Sequence, residues 1–275
     1  MLTTEKAALS LFEAPVSFER GLYRARRVVK QSNLLFISNL LGAIHAAARS
    51  VLFNRALLES YIACRPLFMR SLDPIQIEEN APEVVRLASD AALVAKVGPF
   101  AAVPGAIADL ALREMLSSGG SVCLVENGGE IAANSRIPLN VGLYAGSSPV
   151  SGRVGFRIES GDSPVGIATS SATVSHALNF GRADAAVAVA DTAALADASA
   201  TAICNVVNGN DLEASVQAGL EVAEQIPNLR GALVVRGRYV GSVGKLPRLL
   251  NLRGQVEDMF RASLQDLPLH RAVIL

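Results

Sequence analysis

The spacing of apolar and polar positions is most informative over 183–208, ADAAVAVADTAALADASATAICNVVN. Ala183 to Ala190 is a short run of small and β-branched residues, the pattern of a strand buried on both faces. Asp191 or Thr192 can cap a helix by accepting from a free backbone N–H, and the pattern predicts a helix from Ala194 to Val207. Leu195, Ala198, Ala202, Ile203 and Val206 spread over most of its faces. Asp197, Thr201 and Asn205 recur every four residues and share one face. Two readings of that stripe are open: a solvated face, or a carboxylate one turn from a hydroxyl, two hard oxygen ligands of the kind Mg2+ prefers.

The rest of the chain alternates between the two periods. Arg20 to Ile37 reads as two strands joined by a turn at 30–33, and Leu40 to Ala63 as a long Ala- and Leu-rich helix ended by Pro66. The stretch RPLFMRSLDPI that follows reads as an irregular connector. Pro82 opens a helix to about Ala95, Gly98-Pro99 breaks regular structure, and Pro104 starts another helix through Leu116. Ser121–Val125 and Glu130–Ala132 flank Asn127-Gly128, a strong hairpin signal. Strands are predicted over 139–144, 153–159 and 165–169, then a helix from Asp211 to about Gln225, then a hairpin of 232–235 with 239–242. Helical pattern returns between Gln255 and Leu264, within a tail from Lys245. Strands and helices mix without strict alternation, so an α+β fold of two intimate mixed subdomains is expected, forming one unit over residues 1–275.

Composition narrows the function classes. Hydrophobic residues make up 51% of 275 residues and charged residues 18%, so the chain can bury a substantial core. Formal net charge is zero and no basic stripe emerges, which argues against a nucleic-acid partner. The N-terminus carries acids and lacks a long apolar stretch, and 31–48 is interrupted by Gln31, Asn33, Ser38, Asn39 and His45. Neither a signal peptide nor a membrane span is expected, and the location expected is cytoplasmic. Cys64, Cys123 and Cys204 are odd in number, far apart and set in apolar runs, as buried reduced thiols would be. A homodimer is expected from the apolar composition alone.

Four stretches, GPFAAVPGAIAD, ENGGEI, GIATSS and ADASATAI, occur in the order of the main motifs of the ApbE-like superfamily. From about Arg20 to Ser242 the chain resembles a branch of that superfamily whose members carry ENGG-type and ADA-x-ATA-type motifs. The resemblance implies an ApbE-like fold and Mg2+-dependent chemistry on FAD: transfer of FMN to a Thr or Ser of a protein acceptor, or hydrolysis of FAD to FMN and AMP. Carried over residue by residue, it implies Asp197, Thr201 and a carbonyl near Val103 as metal ligands. It places Asn127, Gly128 and Gly129, with Thr169, Ser170 and Ser171, around the dinucleotide. His176 matches the family's His, and with Asp197 is the candidate catalytic residue; an imidazole can move a proton near neutral pH. The helix start just before Asp197 is expected to attract the phosphates. Two departures bear on activity. The family's Lys-Gly pair is Pro104-Gly105 here, and its His-x-x-Asp-Pro-x-Thr-Gly segment reads His176-Ala177-Leu178-Asn179-Phe180-Gly181-Arg182. A nucleotide-binding protein without catalysis, or another small-molecule enzyme on the same fold, therefore stand as alternatives.

Overall fold

A computed structural model describes residues 15–146, 148–172, 180–252 and 272–274. The chain forms β1 (Val16–Glu19), β2 (Leu22–Val29) and β3 (Ser32–Ser38), then helices α1 (Leu41–Cys64), α2 (Leu67–Arg70), α3 (Glu83–Ala95) and α4 (Val103–Ser117). Strands β4 (Val122–Asn127), β5 (Glu130–Ser135), β6 (Leu139–Gly142), β7 (Val154–Ile158), β8 (Val165–Ser170) and β9 (Ala185–Ala190) follow. Helices α5 (Ala193–Val206) and α6 (Leu212–Gln225) precede β10 (Leu229–Arg236), β11 (Tyr239–Gly244), β12 (Arg248–Asn251) and β13 (Ala272–Ile274).

Nine strands make one antiparallel sheet in the order β1-β2-β3-β4-β5-β8-β9-β10-β11. A second sheet, β12-β7-β6-β13, is antiparallel except for its β6–β13 pair. The large sheet has a core on each face, as alternation of side chains along strands requires. On one face lie Phe36, Val125, Ala168 and Ala188 with the helices. On the other, Leu35, Leu124, Ile131 and Val187 meet Leu139, Val141 and Phe156 of the small sheet. The α+β expectation holds, and the two predicted units are two cores sharing one sheet. Being buried on both faces, β9 is apolar throughout, as its residues predicted.

Most boundaries fall within a residue or two of the sequence reading. The connector after Pro66, expected to be irregular, contains the short α2, and its Phe68 is fully buried and pins it. Cys123 and Cys204 are buried reduced thiols, but Cys64 is exposed at the last turn of α1, correcting the expectation for that residue. The apolar run around Cys64 belongs to a helix end, where one side meets solvent. The helix expected over 255–264 lies outside the described residues. Among the described residues no single helix is long and apolar enough to cross a membrane.

Glycines set how closely α5 can approach its neighbours, two of them at its start. A Cβ on Gly105 of α4 would lie 2.3 Å from the Ala193 carbonyl oxygen and 2.8 Å from Ala194 Cα. A Cβ on Gly166 of β8 would lie 2.2 Å from the Thr192 carbonyl group. Both neighbours are backbone, so neither contact can be relieved by a side-chain rotation. The alanines of α5 then complete a helix pressed against α4 and β8.

Candidate functional site

The polar stripe of α5 does not face solvent. Asp197 is buried, and Thr201 and Asn205 are half-buried. Asp197 Oδ2 accepts the Gly105 backbone N–H at 2.9 Å, a free donor in the first turn of α4. In return, Asp109 of α4 caps α5: its Oδ1 accepts from Ala193 N at 2.8 Å and its Oδ2 from Ala194 N at 2.9 Å. Thr192 Oγ1 accepts from Leu195 N at 3.3 Å. Each helix start is thus capped by a carboxylate of the other helix. This corrects one expectation: the amides at the start of α5 are taken by Asp109 and Thr192 and are not offered to phosphates.

Of the other predicted stretches, the β4–β5 hairpin meets α4 at this turn, while the end of β8 meets α5 two turns farther on, at Cys204. Asn127 points to the helix side of the sheet, where its Nδ2 donates to the Pro104 carbonyl at 3.0 Å. The Pro104 carbonyl is engaged by this bond. Gly128 and Gly129 form the tip of the β4–β5 hairpin with φ of 78° and 125°. Gly129 lies beside β8, so that a Cβ on it would be 3.9 Å from the Thr169 carbonyl oxygen. Ser170 and Ser171 are buried at the end of β8, and the Ser170 hydroxyl hydrogen-bonds the buried Cys204 thiol. Val103 is the first residue of α4, two before Gly105. The Thr201 hydroxyl, one turn beyond Asp197, makes no hydrogen bond among the described residues. His176 lies outside the described residues, and Asn205 Oδ1 accepts from Phe180 N at 3.0 Å just after them.

Two acids that the motifs did not single out, Asp109 and Glu130, interact with Asp197, and a third, Glu126, acts on Glu130. Burial, and then the nearby negative charge of Asp109, hold the Asp197 carboxyl well above the usual carboxylate range despite the Gly105 bond. Burial, then Asp197 and Glu126, do the same to Glu130. Burial pushes Asp109 up to about 6, against its two backbone bonds. Glu126 is pushed up to about 7, with Arg26 the one opposing charge. Glu126 and Glu130 are half-buried as residues, yet the Glu126 Oε2 atom is fully enclosed and has no hydrogen-bond partner among the described residues. Sequence carried a faint signal for all three. Asp109 interrupts the apolar face of Ile107, Leu110 and Ala111, and the two glutamates bracket Asn-Gly-Gly.

These shifts predict how stability depends on pH. An acid whose pKa is raised by folding binds more protons in the native than in the unfolded chain, so stability falls as pH rises through that interval. The interval opens near pH 4, the ordinary carboxylate value, and runs through about 6 for Asp109 and about 7 for Glu126. Glu78 and Glu83, whose pKa values are lowered by Tyr61 with Arg65 and by Arg113 respectively, act in the opposite sense only below the usual carboxylate range. Thermal melts in chelator should therefore show a lower Tm at pH 8 than at pH 5. A flat or rising profile would mean the cluster is relieved in a way these contacts do not supply.

The donor set suits a hard divalent cation. No cationic side chain acts on Asp197 or Glu130 among the groups that shift them, and added positive charge would relieve both. Among the described residues no three His, Cys, Asp or Glu side chains form a metal cage. Mg2+ does not need one, since it keeps waters and shares phosphate oxygens. An open groove of about 570 Å3 lies elsewhere, lined by Pro149, Asn210, Asp211, Leu212, Gly237, Arg238 and Tyr239, and contains none of the predicted site residues.

Comparison with known proteins fits this architecture. A protein-family model described as "AbpE bacteria" matches residues 21–237. A UPF0280 protein of Methanocaldococcus jannaschii is 40% identical over 230 residues, 83% of this chain and 93% of that protein. One from Methanopyrus kandleri is 39% identical, covering 85% and 95%. Among solved structures, the apo flavinyl transferase ApbE of Pseudomonas stutzeri superposes with a TM-score of 0.52 at 12% identity, over 83% of this chain and 94% of that one. A variant of the Vibrio cholerae flavin transferase ApbE gives 0.51 at 13% identity, over 81% and 96%. At such identities the structures establish the fold alone. The extent of the family match and the identity to the archaeal proteins establish the rest: the chain belongs to the AbpE bacterial family, alongside the UPF0280 proteins, and has an ApbE-type fold.

Proposed function

We propose that the protein is a Mg2+-dependent enzyme acting on the pyrophosphate of FAD, passing FMN to a Thr or Ser of a protein acceptor or to water, with AMP as the other product. The observation that supports this reading is that Asp197 accepts a first-turn N–H of α4 while Asn127, at the base of the Gly128-Gly129 turn, donates to the neighbouring Pro104 carbonyl, with burial and another acid but no cation acting on Asp197. Asp197 and Thr201, with a carbonyl near Val103, would hold the cation. When bound, Mg2+ would supply Lewis-acid polarisation of a phosphoryl oxygen and neutralise charge on the leaving group. Asp197 keeps the first turn of α4 in register with α5. Asn127 fixes the hairpin to the same turn, which would set the glycines beside the ion's ligands. Thr169, Ser170 and Ser171 would line the far side, and His176 would move the proton of the attacking hydroxyl. We assign the protein to the cytoplasm, as a homodimer.

Pro104 in place of the family's lysine favours a second reading, a protein that binds the dinucleotide without cleaving it. One experiment separates them. Purified protein incubated with FAD and Mg2+ should release AMP, and chelator should abolish the release. FAD that stays bound and intact supports the binding protein; no retained flavin and no AMP removes both readings.

A further inference from the structure

The large sheet ends on β11, which pairs with β10 alone. The hairpin between them has a two-residue loop, Gly237-Arg238, closed by the Arg236–Tyr239 pair. In such a hairpin the closing pair is hydrogen-bonded and the pattern alternates from there. The Lys245 N–H, which donates to the Arg230 carbonyl at 2.6 Å, shows the same alternation at the far end. Tyr239, Gly241 and Val243 therefore turn their N–H and C=O groups to β10, and Val240, Ser242 and Gly244 turn theirs outward. These three residues are exposed, and their backbone groups have no partner among the described residues. Sheet edges are ordinarily guarded by charge, proline or a bulge. The opposite edge is guarded: β1 follows Pro15, contains Glu19 and runs into Arg20. In β11, Tyr-Val-Gly-Ser-Val-Gly, there is no charge and no proline, and the register against β10 is unbroken. Val240 is 47% exposed although Val235, opposite it on β10, belongs to the second core. The open groove described above lies at the head of β11, with Asp211 in its wall, and Lys245 is exposed at the tail.

We propose that β11 pairs antiparallel with β11 of a second copy of this chain, across a twofold axis at Ser242, joining the two large sheets into one. This rests on the homodimer assigned above and names its interface. An antiparallel edge is its own complement, because a twofold axis sets each outward N–H against an outward C=O. With the axis at Ser242, all three outward residues are paired: Ser242 with the partner's Ser242, and Val240 with the partner's Gly244. An axis at Gly241 would leave Gly244 outside the ladder, and one at Val243 would leave Val240 outside it. Val240 then lies against a residue with no side chain and is covered from water. The same register lays the tail of one β11 along the head of the other, so Lys245 of each copy comes to the groove of the other, where Asp211 offers the opposite charge. Arg238, the groove's own cation, is turned onto the Tyr239 ring, 5.3 Å from its centroid. On the helix side, a Cβ on Gly241 would lie 2.7 Å from Leu220 Cδ1 of α6, so half-buried Leu220 stands over the strand beside the axis. It meets the partner's Leu220 across that axis and adds an apolar contact to the ladder.

The test is sedimentation velocity over a concentration series, on the wild-type chain and two variants. Ser242→Pro removes an outward N–H and leaves every β10–β11 bond in place, as proline does on an edge strand. Val240→Lys puts a charge where the partner strand would lie. The wild-type chain should be dimeric, and each variant should raise the dissociation constant at least about tenfold with the Tm of the dilute monomer unchanged. If Ser242→Pro lowers that Tm, Val240→Lys decides. In a Cys64→Ser background, Ser242→Cys should form a reducible disulfide-linked dimer, because Cα atoms of a hydrogen-bonded pair lie about 5.5 Å apart; Cys64→Ser alone should not. A dimer that Val240→Lys leaves intact, or a Ser242→Cys chain that does not cross-link, overturns the β11 interface alone. A wild-type chain that stays monomeric at every concentration overturns the homodimer and this interface together.

Discussion

Replacing Asp197 by asparagine should weaken Mg2+-dependent FAD binding by at least about tenfold, or ~1.4 kcal/mol, and leave the ligand-free protein as stable or more stable at pH 8. The two effects have one origin. Asparagine has the same shape, and its side-chain oxygen can still accept the Gly105 N–H that Asp197 accepts at 2.9 Å. What it removes is a negative charge that burial and Asp109 already disfavour in the folded chain. Taking away an unfavourable charge helps the empty protein, and taking away a cation's anionic ligand harms the loaded one. Thr201→Val should weaken binding less, because a neutral ligand is lost. Calorimetry with FAD in Mg2+ and in chelator, beside thermal melts of the same samples, reads both effects. Unchanged binding in Asp197→Asn would leave Asp197 as a structural anchor for α4 and no more.

A larger loss of stability is expected at a residue with no side chain. Gly105→Ala places a methyl group 2.3 Å from the Ala193 carbonyl oxygen and 2.8 Å from Ala194 Cα. Both are helix backbone, so the contact is relieved only if α4 and α5 separate, which breaks the bonds that Asp109 and Asp197 make across them. Overpacking of this kind costs about 3 kcal/mol, the upper end of what is usual for inserted methyl groups. Gly42→Ala in α1 is the control: its Cβ would meet nothing within 4 Å, and a helix there gains up to ~1 kcal/mol from alanine. Urea denaturation of the two variants should move in opposite directions. Equal midpoints would show that α4 and α5 do not approach as closely as described.

The fold was legible where local chemistry dictates structure. The Asn-Gly turn, Pro82 and Pro104 at helix starts, and Thr192 and Asp211 as caps act over a few residues, and a single sequence displays them. The stripe of Asp197, Thr201 and Asn205 was legible as a spacing, but not its burial. That depends on α4, whose contact with α5 joins residues about ninety positions apart. Asp109 is not legible for the same reason, since nothing in GAIADL tells that its carboxylate caps the start of another helix. The glutamates beside the two glycines carry little signal in the sequence, because acids flanking a turn are ordinarily solvated. Only the second sheet, assembled partly from β12 and β13 near the end of the chain, makes the β4–β5 hairpin an interior feature.

The exchanged carboxylates between α4 and α5 also decide when the site acquires its shape. Two helices each ending on the other's side chain cannot slide or rotate independently without exposing unsatisfied amides. The separation of Asp197 from the first turn of α4 is therefore settled during folding and stays fixed when the pocket is empty. Crowded acids in such a frame cannot drift apart to lessen their repulsion, so the unfavourable potential persists until something of opposite charge arrives. Little conformational entropy remains to be lost at that moment, and the arriving group meets a preorganised electrostatic well in place of a flexible chain that must first be gathered around it.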